Sequence, residues 1–305
     1  MTGAPKGPEI ELTLDAVIAA VTEQRPRILT VTNGEGHGST IPSGPVSRDD
    51  ATLERAIRRW IFEQAGIEVG YVEQLYTFGD LHRGMPGGLG ARAVSIAYLA
   101  LVREEQPAPD AAWVDWYELL PWEDHRDGRP QMLDDWVLPA LLEWASGDEE
   151  RVARVGTAFG GDAGHWDGIR VLERYELLYE AELVAETGGG HPTDPYRGGR
   201  PMAFDHRRIA ATALGRLRGK LTYRPVIFEL VPDTFTLLTL QRTVEALAGV
   251  ELHKQNFRRL VERSRLVEGT GRRAPATSGR PAELFRFRPE VLLERPRPGV
   301  GVPYR

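Results

Sequence analysis

The sequence predicts an α+β protein in two parts, a sandwich of strands and helices followed by a winged helix-turn-helix. Three observations predict it. Residues 12–102 read strand, strand, helix, strand, strand, which is sandwich grammar rather than bundle grammar. Residues 236–287 read helix, short turn, basic helix and β-hairpin. Charge is split between the two ends of the chain: residues 200–305 hold 21 Lys and Arg against 10 Asp and Glu, whereas residues 1–199 hold 17 against 34. A basic end on an acidic chain is the electrostatic footprint of a segment that meets a polyanion.

Composition bounds the rest. At 305 residues the chain has room for two domains, and 41% hydrophobic residues suffice for a core. Cysteine is absent, which excludes disulfides, thiolate metal sites and cysteine nucleophiles together. No apolar run approaches the roughly 18 residues a membrane span needs, and the opening residues lack the apolar stretch of a secretory signal. A cytoplasmic protein without a membrane partner is expected.

The elements follow in order. Leu12–Ile18 and Arg27–Thr32 alternate and are β-branched, hence strands. A Gly-rich loop covers 33–38. From Asp49 the period becomes helical, with Leu53, Ile57, Trp60 and Ile61 on one face and Gly66 as the stop. Tyr71–Phe78 and Arg92–Val102 read as strands around the loop Gly84–Gly90. Residues 107–187 are Trp-rich and mostly helical, with helices over Gln131–Ala145 and Gly168–Ala185, and their aromatic stripe reads as core or dimer surface. Thr187–Arg200 is a loop, Asp205–Lys220 a helix with Asp205 as a candidate N-cap, and Val226–Leu230 a strand. Thr236–Ala248 and Asn256–Arg265 are the paired helices, Leu266–Glu268 and Ala282–Phe287 the hairpin. Domains are expected at 10–222, with the helical insert at about 107–187 and the loop at 187–202, and at 223–305.

The segment from Gly44 to Ile67 resembles a degraded Nudix box. With Gly66-Ile67 as anchor, the family's arginine falls on Arg59 and its first helix glutamate on Trp60. The next pair falls on Glu63 and Gln64, the upstream glutamate on Ala51, and the opening glycine on Pro45. Nudix hydrolases hold hard divalent cations with several carboxylates converging from one helix face. Here that face retains one, with Asp49 and Asp50 nearby as the only substitutes. Met202–Ile209, Arg216–Leu221, Phe228–Leu230, Phe235–Leu237, Lys254–Arg259 and Ser278–Phe285 resemble the Nudix-related transcriptional regulators called NrtR. Tyr117–Asp124 and Leu172–Leu178 resemble the longer NadQ-type regulators of NAD biosynthesis.

That resemblance implies a catalytically degenerate Nudix fold, an α/β/α sandwich, joined to a winged helix. It further implies a homodimeric repressor of NAD biosynthesis or salvage genes. Its effector would be an adenine-containing metabolite such as ADP-ribose, NAD or ATP, with no required cofactor, and its partner double-stranded operator DNA. No catalytic residue is assigned: neither a Ser-His-Asp arrangement nor a P-loop is present, and the seven histidines lack zinc-ligand spacing. Lys254, Gln255, Asn256, Arg258 and Arg259 open the basic helix with side chains that pair with base edges and phosphates. Arg272, Arg273, Thr277, Ser278 and Arg280 suit a wing reaching phosphates or a minor groove. Arg83 and Arg92 flank the loop where Nudix folds admit ligand, and Arg48, Arg59, Glu63 and Phe78 complete the expected effector contacts. The alternative is a Mg²⁺-dependent Nudix hydrolase of a nucleoside diphosphate derivative.

Overall fold

The structure is a computed structural model of the chain, described over residues 10–32, 38–80, 92–160, 166–187, 198–275, 281–294 and 299–300. Its spine is β1 (Ile10–Thr22), which turns directly into β2 (Arg25–Thr32). The two-residue turn puts Glu23 and Gln24 at φ 50 and 64, the left-handed pair that a tight hairpin demands, without the usual Asn-Gly. β1 also pairs antiparallel with β4 (Ser43–Pro45) and, along its length, parallel with β6 (Arg92–Leu101). β5 (Tyr71–Phe78) closes one edge beside β6, and the short β3 (Ser39–Thr40) lies beside β2.

Both faces of this sheet are covered, because side chains on a strand alternate. Leu14, Ala16, Ile18 and Ala20 of β1 join one core with Ala56, Ile57 and Ile61 of α1 (Leu53–Ala65). Val17 and Ala19 join the other core, with helices of the insert and of the C-terminal half. The α/β/α layering is the predicted one. α1 begins where Thr52 accepts from the Arg55 amide and ends at Gly66, whose φ of 68 is the left-handed stop.

The insert departs from expectation at its start. Ala111–Asp115 is a strand, β7, antiparallel to β2. Five residues flanked by Pro107, Pro109 and a Trp-rich stretch carry too little alternation to read. Helices follow: α2 (Trp116–Leu119), α3 (Leu138–Trp144), α4 (Glu149–Phe159) and α5 (Val171–Glu180). A π-helical turn over Leu133–Val137 precedes α3, a widening that accommodates Pro139, which offers no amide to the preceding turn.

α6 (His206–Leu221) carries the chain back across the sheet. Asp205 precedes it without a side-chain cap; its carboxylate pairs with Arg208 instead, 3.0 Å away. The predicted strand over Val226–Leu230 is a 3-10 turn, Val226–Glu229. Pro225 starts it, Val226 and Ile227 both point inward, and the strand position beside the wing is taken by Phe235, which bridges Phe285. Then come α7 (Leu237–Ala248), α8 (Lys254–Ser264), and the hairpin β8 (Val267–Arg273) and β9 (Glu283–Phe287). Phe228 stacks on Phe287 with ring centroids 4.3 Å apart, pinning the hairpin to the body. α7 lies against β1 and β2, so the C-terminal segment shares the core of the sandwich. No helix among the described residues is long and apolar enough to cross a membrane.

Candidate functional site

α8 buries Phe257 and Val261, rests Leu260 against the same core and turns its charged face outward. Lys254, Gln255, Asn256, Arg258 and Arg259 are all exposed, as are Arg272 and Arg273 on β8. Elsewhere many arginines are tied to carboxylates, among them Arg59 to Asp50, Arg154 to Glu180, Arg207 to Glu186 and Arg208 to Glu176. Among the described residues no carboxylate pairs with Lys254, Arg258, Arg259, Arg272 or Arg273. Unpaired cations gathered on one face keep their full attraction for an outside polyanion. A cleft of about 760 Å³ opens between the start of α7, α8 and the wing, lined by Gln241, Lys254, Arg258, Arg272, Arg273 and Glu283. Thr277, Ser278 and Arg280 lie outside the described residues.

The angle between α7 and α8 rests on two buried polar residues that sequence reasoning missed. Gln241 donates to the Leu252 carbonyl and to Glu245, each at 2.8 Å, and Glu245 accepts from the Leu252 amide at 3.0 Å. Together they replace the hydrogen bonds that the turn 249–253 cannot make for itself. Their signal was available: both fall on the apolar stripe of α7, where a polar residue needs a partner.

On α1 the positions where the Nudix pattern has glutamates serve packing. Gln64 donates to the Ser43 carbonyl at 2.7 Å and accepts from its amide at 2.9 Å, adding itself to β4 like a piece of strand. Trp60 donates from its indole to the Pro45 carbonyl at 3.0 Å. Arg59 lies over the Trp60 ring and is held by Asp50 at 3.0 Å and Glu63 at 3.3 Å. The Arg59 guanidinium and the Ser47 amide hold the Asp50 carboxyl below its usual range. The face therefore offers a cation no converging set of free carboxylates.

The expected effector contacts do not form one group. Arg59 and Glu63 sit together on α1, with Arg48 exposed in the loop before it. Phe78 is buried on the other side of the sheet, 5.3 Å under the guanidinium of Arg208. Arg208 in turn contacts Asp80, Glu176 and Asp205. Arg83 lies outside the described residues, and of Arg92 only its backbone at the start of β6 is described. His206 is a core residue: its Nδ1 accepts from the Ile41 amide at 3.1 Å and its Nε2 lies 3.2 Å from Asp15, which also accepts from Ser95. It ties α6 to the sheet.

Residues 227–287 match the family model described as the NrtR DNA-binding winged helix domain. A curated relative, the ADPR responsive transcriptional repressor NtrR of Acinetobacter baylyi, is 40% identical over 86 residues. That stretch is 28% of this chain and 34% of the relative, so the match spans about a third of the relative's length. The crystal structure of Shewanella oneidensis NrtR complexed with a 27mer DNA superposes with a TM-score of 0.58 at 22% identity, over 92% of this chain and 94% of that one. A MutT/nudix family protein from Enterococcus faecalis gives 0.56 at 16% identity, over 94% and 90%. These likenesses place a Nudix-type sandwich and a winged helix in one chain.

Proposed function

From a chain that joins an NrtR-type DNA-binding winged helix to a Nudix fold, we propose a ligand-responsive transcriptional repressor of NAD biosynthesis or salvage genes. Residues 223–305 bind operator DNA as a homodimer, and residues 10–222 sense an adenine-containing metabolite. The A. baylyi relative is named for its response to ADP-ribose, and ADP-ribose is the first effector to test here. The observation that carries the reading is the unpaired cationic face of α8 and β8, held in place by the contacts of Phe228, Gln241 and Glu245. α8 presents Gln255, Asn256, Arg258 and Arg259 from its first two turns, where a recognition helix meets base edges. Lys254, Arg272 and Arg273 supply phosphate contacts beside it.

The hydrolase alternative finds its catalytic positions spent on β4 and Arg59, so the sandwich acts as a binding body. The test is fluorescence anisotropy on a duplex that the protein selects from a random library, across a salt series. If the five unpaired cations each displace one counterion, log K falls against log salt with a slope of about −4 to −5 per protomer. Binding that ignores salt or sequence would remove the regulator reading.

A further inference from the structure

Glu123 is fully buried between two fully buried arginines. Arg174 of α5 grips it bidentately, at 2.6 Å and 2.9 Å, and Arg218 of α6 reaches it at 2.5 Å. Two guanidiniums against one carboxylate leave a surplus positive charge in the core. Backbone carbonyls compensate it: Arg174 donates to Ala158 and Asp167, and Arg218 to Gly168 and Glu123. The last compensation comes from the other half of the protein. Arg218 Nε donates to the Leu247 carbonyl at 3.0 Å, in the final turn of α7, where a helix concentrates its negative pole. Tyr117 donates from its hydroxyl to the Ala246 carbonyl at 2.7 Å, and the His125 amide to the Gly249 carbonyl at 2.7 Å. Gly249 has φ +69, and a Cβ there would lie 2.4 Å from Arg218 and 2.5 Å from the Glu123 carbonyl. The end of the first DNA-binding helix is thus capped by the insert and by α6.

We propose that Arg218, held by Glu123 and Arg174, is the positioning residue of the DNA-binding domain: it sets the orientation of α7 and α8 relative to the sensing sandwich. The contact is directional, charged and buried, so the winged helix docks in one arrangement rather than swinging on a tether. This rests on the regulator reading above. In a dimer, the same contact fixes the spacing of the two recognition helices and relays a shift of α6 to them.

The chain has no cysteine, so Glu68→Cys and Glu262→Cys, both exposed, can carry a unique pair of spin labels across the two halves, spin-diluted to remove distances between subunits. Arg218→Met removes the charge but keeps the length and leaves Glu123 paired with Arg174. Tyr117→Phe removes only the hydroxyl, and decides the matter should Arg218→Met not fold. Arg103→Ala is the control, since it breaks a link at the molecular edge, from the half-exposed Arg103 just past β6 to the Val231 carbonyl and the exposed Asp233. A single narrow distance is expected in the parent and the control, and a broadened one in both test variants. In those variants ADP-ribose should bind as in the parent while its effect on operator affinity shrinks by about fivefold or more. Distances unchanged in both variants, or full coupling retained in both, overturn the proposal. If ADP-ribose leaves operator binding by the parent unchanged, the regulator reading fails, and the positioning claim is decided by the spin-label distances alone.

Discussion

The Trp60 ring lies so close to the Gly44 backbone that a Cβ on residue 44 would sit 2.1 Å from it. With the indole bonded to the Pro45 carbonyl, the helix that carries metal ligands in Nudix hydrolases here clamps β4. Gly44→Ala should expel the ring and cost about 1–3 kcal/mol, read as a lower denaturation midpoint with an unchanged m-value. Restoring the pattern with Trp60→Glu and Gln64→Glu should also destabilise the fold. Neither that variant nor the parent should hydrolyse ADP-ribose with Mg²⁺ or Mn²⁺; turnover near one per second, within the ordinary range of enzymes, would contradict this account of α1.

On the proposed function, the exposed side chains of α8 and β8 separate into residues that read bases and residues that anchor phosphates. Arg258→Ala or Arg259→Ala should weaken operator binding by about 1–3 kcal/mol and relax sequence preference if the arginine meets a guanine. Arg272→Ala should weaken binding to all duplexes alike and make the salt slope shallower by about 1. Unchanged affinity in all three variants would remove α8 and β8 as the interface.

Acid should loosen the junction in two steps. Burial pushes the His125 imidazole down to about 4 from 6.5; Glu123 pulls the other way, and Arg174 and Arg218 add to the drop. Its ring lies against Trp166, with centroids 3.9 Å apart and planes tilted by 35°. Between pH 6.5 and 4 the unfolded chain binds a proton that the folded one refuses, so stability falls as pH falls, by about 1–3 kcal/mol after allowance for partial exposure. Burial alone would raise the Glu123 carboxyl, but Arg174 and Arg218 outweigh it and hold it below 4.5. Its contribution is present above 4.5 and is lost only as pH falls below that value through the folded pKa. His125→Gln should flatten the first step and leave the second; an unaltered first step would place the titration elsewhere.

Much of this fold is legible in the sequence because the long elements announce themselves. β1, β2, β5 and β6 alternate over enough residues to declare strands, and Gly66 ends α1 with ordinary cap chemistry. β7 and the turn at Val226 are not legible, since five residues or fewer take their conformation from tertiary partners. The exposed face of α8 follows from helical period alone. The grouping expected for effector contacts does not: Arg59 and Phe78 lie in different layers, and nothing in their spacing says which face of the sheet each would join. The buried triad did leave a trace. Arg174 falls on the stripe of Val171, Tyr175 and Leu178, and Arg218 on that of Leu214, Leu217 and Leu221, positions where a charge survives only with a buried partner.

On the proposed function, ligand binding in the sandwich and DNA binding by the winged helix are one equilibrium. Titrating ADP-ribose into the protein with and without saturating operator duplex, and operator with and without saturating ADP-ribose, decides this. The two affinity ratios must be equal, and a coupling of about 1–3 kcal/mol makes each roughly 5- to 150-fold. Equal ratios within that range are the predicted result. ADP-ribose that binds the sandwich while both ratios stay at one would contradict it.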